Sequence, residues 1–373
     1  MDSEKVLMKG NEAISEAAIR AGCDAYFGYP ITPQNEITSY MAKHMLDKDR
    51  IFIQAESETA AINMVYGASC AGSRAMTSSS SPGISLKQEG MSYAAGADIP
   101  LVLVNVVRGG PGLGSIAPSQ ADYFQSTRGG GHGDYYCIVL GPKSVQECAD
   151  FTYRAFDLAG KYRMPVIILA DGMLGQMMEG VVLPREKSPA ELPRRDWVVG
   201  NMQNRDPRHI TSIHLVPEEL EQITLERYKR YDEIKAAETS YEYSGPFKAG
   251  TVFYGEGETF ADAEITMVAY GTSARVCLGA KQLAEKAGIR AAIFRPITLW
   301  PFPYKALGKI AAAGAPLLTV EMSLGQLVED VRLSLLEAPG SSSREGVHLL
   351  GHSGGVIPTE EEVFQEIKRI LGK

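Results

Sequence analysis

Pro100-Leu101-Val102-Leu103-Val104-Asn105-Val106-Val107-Arg108-Gly109-Gly110 is a nearly unbroken apolar run that stops on a cation and glycines. Such a run predicts a strand over 100–107 covered on both faces, the environment of a parallel sheet. Parallel neighbours need crossovers, and the flanking sequence supplies them. Residues 50–55 read as a strand and 58–71 as a helix of small residues. Residues 136–140 and 165–170 read as further strands. Between these two, Ser144-Val145-Gln146-Glu147 has the spacing of a capping box, which predicts a helix from there to 158. The alternation predicts an α/β fold with a doubly wound parallel sheet over 1–184.

Residues 185–255 change character. They are rich in Arg, Glu, Pro and Tyr, and 218–235 suits a charged helix. We read this stretch as an extended linker. Alternation resumes over 256–373, with strands at 264–269, 290–294, 316–320 and 347–350. A helix at 274–287 is stopped by Gly288. This predicts a second, smaller doubly wound domain. Two domains suit 373 residues. Serine tracts at 78–81 and 341–343 are the notable compositional bias.

Apolar residues make up 45% and charged residues 22%, an ordinary globular balance. The net charge of -8 argues against nucleic acid as a partner, which calls for a basic stripe. No apolar run is long enough for a membrane span. Met1-Asp2-Ser3-Glu4-Lys5 lacks the apolar core of a signal peptide, so a cytoplasmic location is expected. Cys23, Cys70, Cys137, Cys148 and Cys277 are scattered, with no Cys-x-x-Cys pair. They suit small buried residues rather than an iron–sulfur cluster or a disulfide framework.

Three segments concentrate chemistry. Gly28-Tyr29-Pro30-Ile31-Thr32-Pro33 sets Thr32 between two prolines that stiffen its loop. Gln54-Ala55-Glu56-Ser57-Glu58-Thr59 puts carboxylates where a strand gives way to a helix, where an acid also suits the macrodipole. Val107-Arg108-Gly109-Gly110-Pro111-Gly112-Leu113-Gly114 puts a guanidinium at the carboxyl end of a strand, where open α/β sheets place ligands. Plainer readings are a surface ion pair for Arg108 and a loop-capping hydroxyl for Thr32. His132 lies in a long Gly-rich loop, 109–134, and reads as unremarkable. His44, His209, His214, His348 and His352 show no metal-ligand spacing.

With Phe294-Arg295-Pro296-Ile297-Thr298-Leu299-Trp300-Pro301 and Glu321-Met322-Ser323-Leu324-Gly325-Gln326, these segments resemble the α subunit of a 2-oxoacid:ferredoxin oxidoreductase. The resemblance covers nearly the whole chain. It implies a thiamine diphosphate pyrimidine-binding domain at 1–184 and a transketolase C-terminal-like domain at 256–373. It implies that Glu58, nine residues before Gly67, activates the cofactor's pyrimidine ring, with Glu56 the competing candidate. Tyr29, Pro30 and Ile31 would line the cofactor, and Thr32 and Arg108 would bind the 2-oxoacid. The form of the Arg108 segment looks nearest the 3-methyl-2-oxobutanoate (2-ketoisovalerate) type. The 2-oxoglutarate type is the alternative, with Arg128 a candidate for the distal carboxylate.

Thiamine enzymes hold the diphosphate through Mg²⁺ on a Gly-Asp-Gly segment. This chain offers Ala170-Asp171-Gly172 and no such segment. The diphosphate and Mg²⁺ half is therefore expected on a β subunit, and no metal site is expected here. The resemblance further implies γ and ferredoxin-like δ subunits, iron–sulfur clusters on partners, coenzyme A as co-substrate and ferredoxin as electron acceptor. A non-redox thiamine enzyme subunit and a non-catalytic scaffold are the competing readings.

Overall fold

The computed structural model describes residues 4–192, 196–199, 205–246, 262–337 and 346–373. The first half runs β1 (Val6–Lys9), α1 (Gly10–Arg20), β2 (Ala25–Gly28), α2 (Asn35–His44), β3 (Ile51–Gln54), α3 (Glu58–Cys70), β4 (Ala75–Ser79), α4 (Ser81–Gly96), β5 (Leu101–Val107), α5 (Tyr123–Thr127), β6 (Ile138–Leu140), α6 (Val145–Tyr162), β7 (Pro165–Asp171), α7 (Gly172–Gln176) and β8 (Met178–Val181). The second runs α8 (Pro217–Glu238), β9 (Tyr241–Ser244), β10 (Ile265–Val268), α9 (Gly271–Lys286), β11 (Ala291–Pro296), β12 (Thr298–Trp300), α10 (Tyr304–Ala312), β13 (Leu317–Glu321), α11 (Leu327–Ser334), β14 (Val347–Gly351) and α12 (Glu360–Leu371).

The apolar run at 101–107 is the centre of a seven-stranded sheet ordered β12-β6-β7-β5-β4-β2-β3. All seven β5 residues are buried, as its lack of polar alternation requires. The pairs within this sheet are parallel except β12 against β6. Registers Ser79↔Asn105 and Val107↔Asp171 bring the carboxyl ends of β4, β5 and β7 to one edge. The loops from that edge carry the candidate residues.

Ser144 caps α6 by accepting from Glu147 N at 3.1 Å. The reciprocal arm differs from a capping box. Glu147 accepts from Lys143 N, because both its oxygens are drawn into a fork with Arg295 at 2.8 and 3.0 Å. The helix also runs on to Tyr162, because its apolar face stays buried through Leu158, Ala159 and Tyr162.

A second sheet is ordered β14-β13-β10-β11-β9. The halves exchange edges. β12 from the second half pairs with β6, and β9, within the stretch read as a linker, pairs antiparallel with β11. The 218–235 helix forms as α8, and its Tyr231 and Ile234 reach the main core. The serines at 341–343 and the expected 255/256 boundary lie outside the described residues.

Candidate functional site

Glu58 is the first residue of α3, after Ser57 caps the helix through Ala60 N at 3.1 Å. A helix-terminal acid usually points to water. Glu58 is instead 6% exposed, while Glu56 is exposed. Its carboxylate lies against Gly83 in the first turn of α4: a Cβ there would stand 2.4 Å from Glu58 Oε1. Only glycine admits that approach. Among the described residues no hydrogen-bond donor reaches this carboxylate. Burying a charge without partners is costly, so the arrangement suits a group that donates from outside the chain.

Arg108 continues directly from β5 and is 7% exposed. Its Nη1 donates to Thr32 O at 2.9 Å and its Nη2 to Leu113 O at 3.0 Å. Two expected site residues, 76 positions apart, are thereby joined. Arg108 Nε is buried without a partner. Of five guanidinium N–H groups, the two carbonyls take two and leave a fork edge for an anion. Ser81 Oγ, at the start of α4, bonds both the N–H and the carbonyl of Arg108, tying the Arg108 strand end to the helix that faces Glu58.

Thr32 is exposed, and its Oγ1 accepts from Asn35 Nδ2 at 3.2 Å. Tyr29 and Ile31 are half-buried and Pro30 is exposed. Gln34 holds this loop from below, donating to Tyr29 O and accepting from Ser78 Oγ at 2.6 Å. Ser78 in turn bonds Tyr26, whose hydroxyl burial pushes up to about 12. Ser79 Oγ, beside the Glu58–Gly83 contact, and Ser80 Oγ are both buried without partners. The serine tract thus ends β4 and opens α4 in the middle of the site.

Sequence reasoning missed Gln34, Ser78, Ser81 and Lys87. Gln34 and Lys87 carry no local signal, and the serines showed only as bias. Lys87 is fully buried on α4, donating to Thr77 Oγ1 at 3.0 Å and to Glu58 O at 3.4 Å. Burial pulls its ammonium down to about 7, and the Glu58 charge opposes that fall.

The Gly-rich loop is latched to the second half. Gln120 donates to Tyr270 O and accepts from Ser273 Oγ and Met322 N, each at 2.9 Å. Arg128 pairs with buried Asp330 at 3.1 Å and lies over the Phe124 ring. His132 stands edge-on to Tyr93, and its carbonyl accepts from Ser92. Asp171 caps α7 through Met173 N and Leu174 N, and accepts from Thr272 of α9 at 2.8 Å. No group of metal-ligating residues occurs among the described residues. Four cysteines are buried and Cys70 is half-buried, all free.

A profile described as pyruvate flavodoxin/ferredoxin oxidoreductase, thiamine diphosphate-binding, matches residues 16–243. One described as pyruvate:ferredoxin oxidoreductase core domain II matches 263–363. The chain is 44% identical over 367 residues to the ketoisovalerate oxidoreductase subunit VorB of Methanothermobacter marburgensis, covering 98% of each. It is 35% identical over 380 residues to the 2-oxoglutarate synthase subunit KorA of the same organism, covering 98% of this chain and 99% of that one. Among solved structures it is similar to a 2-oxoglutarate:ferredoxin oxidoreductase from Magnetococcus marinus, with TM-score 0.81 and 25% identity. That match covers 99% of this chain and 66% of the longer one. A split-gene transketolase, at TM-score 0.57 and 16% identity, shares the fold across 98% of both chains.

Proposed function

Because the chain belongs to the 2-oxoacid:ferredoxin oxidoreductase family as a thiamine diphosphate-binding α subunit, we propose that it oxidatively decarboxylates 3-methyl-2-oxobutanoate in complex with a β subunit. The products would be the branched acyl-CoA and CO₂, with an electron pair leaving through partner iron–sulfur clusters to ferredoxin. The β subunit would bring Mg²⁺ and the diphosphate half-site. Subunits of γ and ferredoxin-like δ type would complete the assembly. No helix among the described residues is long and apolar enough to cross a membrane.

The observation that carries the reading is the buried Glu58 carboxylate, without a donor among the described residues and pressed against Gly83. It fits an aminopyrimidine, whose ring nitrogen N1′ would supply the missing partner. Tyr29, Pro30 and Ile31 would border that ring. When bound, thiamine diphosphate supplies the thiazolium carbon that adds to the 2-oxoacid carbonyl. Glu58 would hold and move the proton at N1′. Arg108, through Nε and its free N–H groups, and Thr32, through its hydroxyl, would orient the substrate carboxylate. The Gly-rich loop, latched by Gln120, would exclude water.

Two observations favour the branched substrate over 2-oxoglutarate. Identity is 44% to the ketoisovalerate subunit against 35% to the 2-oxoglutarate subunit. Arg128, the candidate for a distal carboxylate, is already committed to Asp330. The test is coenzyme A-dependent ferredoxin reduction by the purified complex on a panel of 2-oxoacids. We expect kcat/KM for 3-methyl-2-oxobutanoate to exceed that for 2-oxoglutarate by at least about ten-fold, some 1.4 kcal/mol. The reverse order would assign the chain to the 2-oxoglutarate type.

A further inference from the structure

Lys87 is a buried charge that the reaction outlined above does not use. It sits on the inner face of α4, wholly shielded from solvent. Among the described residues no carboxylate lies within ion-pair distance of it. Its Nζ is held by two neutral oxygens, Thr77 Oγ1 on β4 at 3.0 Å and the main-chain carbonyl of Glu58 at 3.4 Å. Lysines are almost never fully buried unless paired. A tie between α3, α4 and β4 could be made by a neutral amide at far smaller desolvation cost. What a neutral donor could not supply is a positive charge behind the first turn of α3.

We propose that Lys87 is a positioning residue for Glu58: it fixes the first turn of α3 on β4 and sets a cation behind the carboxylate as that carboxylate gives up its proton. The inference rests on the assignment of Glu58 as the carboxylate that faces N1′. In the step concerned, the Glu58 O–H bond breaks and an N–H bond forms at N1′, leaving Glu58 negative. A cation facing Glu58 from inside the protein favours that charge distribution. Lys87 touches neither cofactor nor substrate. The Gly83 contact fixes the carboxylate from one side, and the Lys87 bond to the Glu58 carbonyl fixes its backbone from the other. Both residues lie on α4, one turn apart, so a single helix sets the position and the electrostatics of Glu58.

The experiment uses the assembled complex loaded with thiamine diphosphate and Mg²⁺, without substrate. It measures hydrogen–deuterium exchange at the thiazolium C2 by quenched flow and NMR. Lys87→Met keeps length without charge, Lys87→Gln keeps a donor without charge, and Glu58→Gln is the reference. Cofactor affinity by titration and thermal unfolding are read on the same samples. We expect both Lys87 variants to exchange about ten-fold more slowly, the size of one neighbouring charge in a proton-transfer equilibrium. Cofactor affinity should change less than three-fold, and Lys87→Met should unfold no earlier than wild type. A purely structural lysine predicts the opposite pattern, with early unfolding and normal exchange in the loaded complex. Normal exchange in a folded Lys87→Met complex overturns the inference. If Lys87→Met does not assemble, Lys87→Gln decides by the same criterion. If Glu58→Gln itself exchanges normally, the assignment of Glu58 falls and the inference falls with it. Slow exchange in Glu58→Gln beside normal exchange in the Lys87 variants removes the inference alone.

Discussion

Glu58 and Glu56 stand two residues apart in a strand-to-helix junction, and only folding separates them. The helix starts at Glu58, turns its side chain inward against Gly83, and leaves Glu56 in solvent. Glutamine would fill the same space but would not exchange a proton with a ring nitrogen as a carboxyl does. Glu58→Gln should therefore lower the turnover of the assembled enzyme by about 10²–10⁴ and leave cofactor affinity nearly intact. Steady-state rates beside cofactor titration check this, and a crippled Glu56→Gln with a near-normal Glu58→Gln would exchange the two assignments. Arg108 has a double task that its position after an apolar strand did not reveal. It braces the loops of Thr32 and Leu113 while keeping Nε free. Lysine keeps the charge and loses the fork. Arg108→Lys should raise KM for every 2-oxoacid by an amount corresponding to about 1.5–3 kcal/mol. A loss confined to 2-oxoglutarate would move Arg108 to a distal carboxylate.

At the scale of elements, apolar runs located eight of the fourteen described strands and left β1, β2, β4, β8, β9 and β12 unread; β4 is buried throughout yet carries Thr77, Ser78 and Ser79, so it showed in the sequence only as a serine tract. The positions of those located match within a residue or two at β3, β5, β7, β10, β11, β13 and β14. Helix α4 escaped, because its first turn, Ser81-Pro82-Gly83, reads as loop composition. Proline is at home in a first helical turn, and the serines before it end β4. Lys87 makes α4 pH-sensitive with a definite sign. Burial lowers its folded value from 10.5 to about 7, so between those values the unfolded chain binds the extra proton. The penalty is full below about 7 and fades as pH rises toward 10.5. Relative to wild type, Lys87→Met should gain most thermal stability near about pH 6, and its advantage should close toward about pH 10. Calorimetric scans of both proteins across that range test the sign, and an advantage that widens with pH would contradict it.

For the whole molecule, the two sheets are joined by exchanged edge strands and by polar staples. The staples are Gln120 on Tyr270, Ser273 and Met322, Asp171 on Thr272, and Tyr123 with Arg128 on Asp330. Under the function proposed above, a chain so braced would hold only the pyrimidine half of a cofactor site. Asp171 illustrates why: its oxygens are spent on α7 and α9, as a structural staple rather than a metal ligand. The isolated chain should bind thiamine diphosphate with Mg²⁺ at least on the order of a hundred-fold more weakly than the complex does. Titration calorimetry of both decides, and tight Mg²⁺-dependent binding by the chain alone would refute the split site. The sequence by itself determined the α/β class and the two sheets, because apolar periodicity is local, and its resemblance to the family singled out the segments with Thr32, Glu58 and Arg108. Tertiary structure alone decided that Glu58 rather than Glu56 is buried, that Arg108 reaches Thr32, that Arg128 is committed to Asp330, and that Lys87 lies behind Glu58. Those facts depend on contacts between residues distant in sequence, and on which faces the packing leaves without partners.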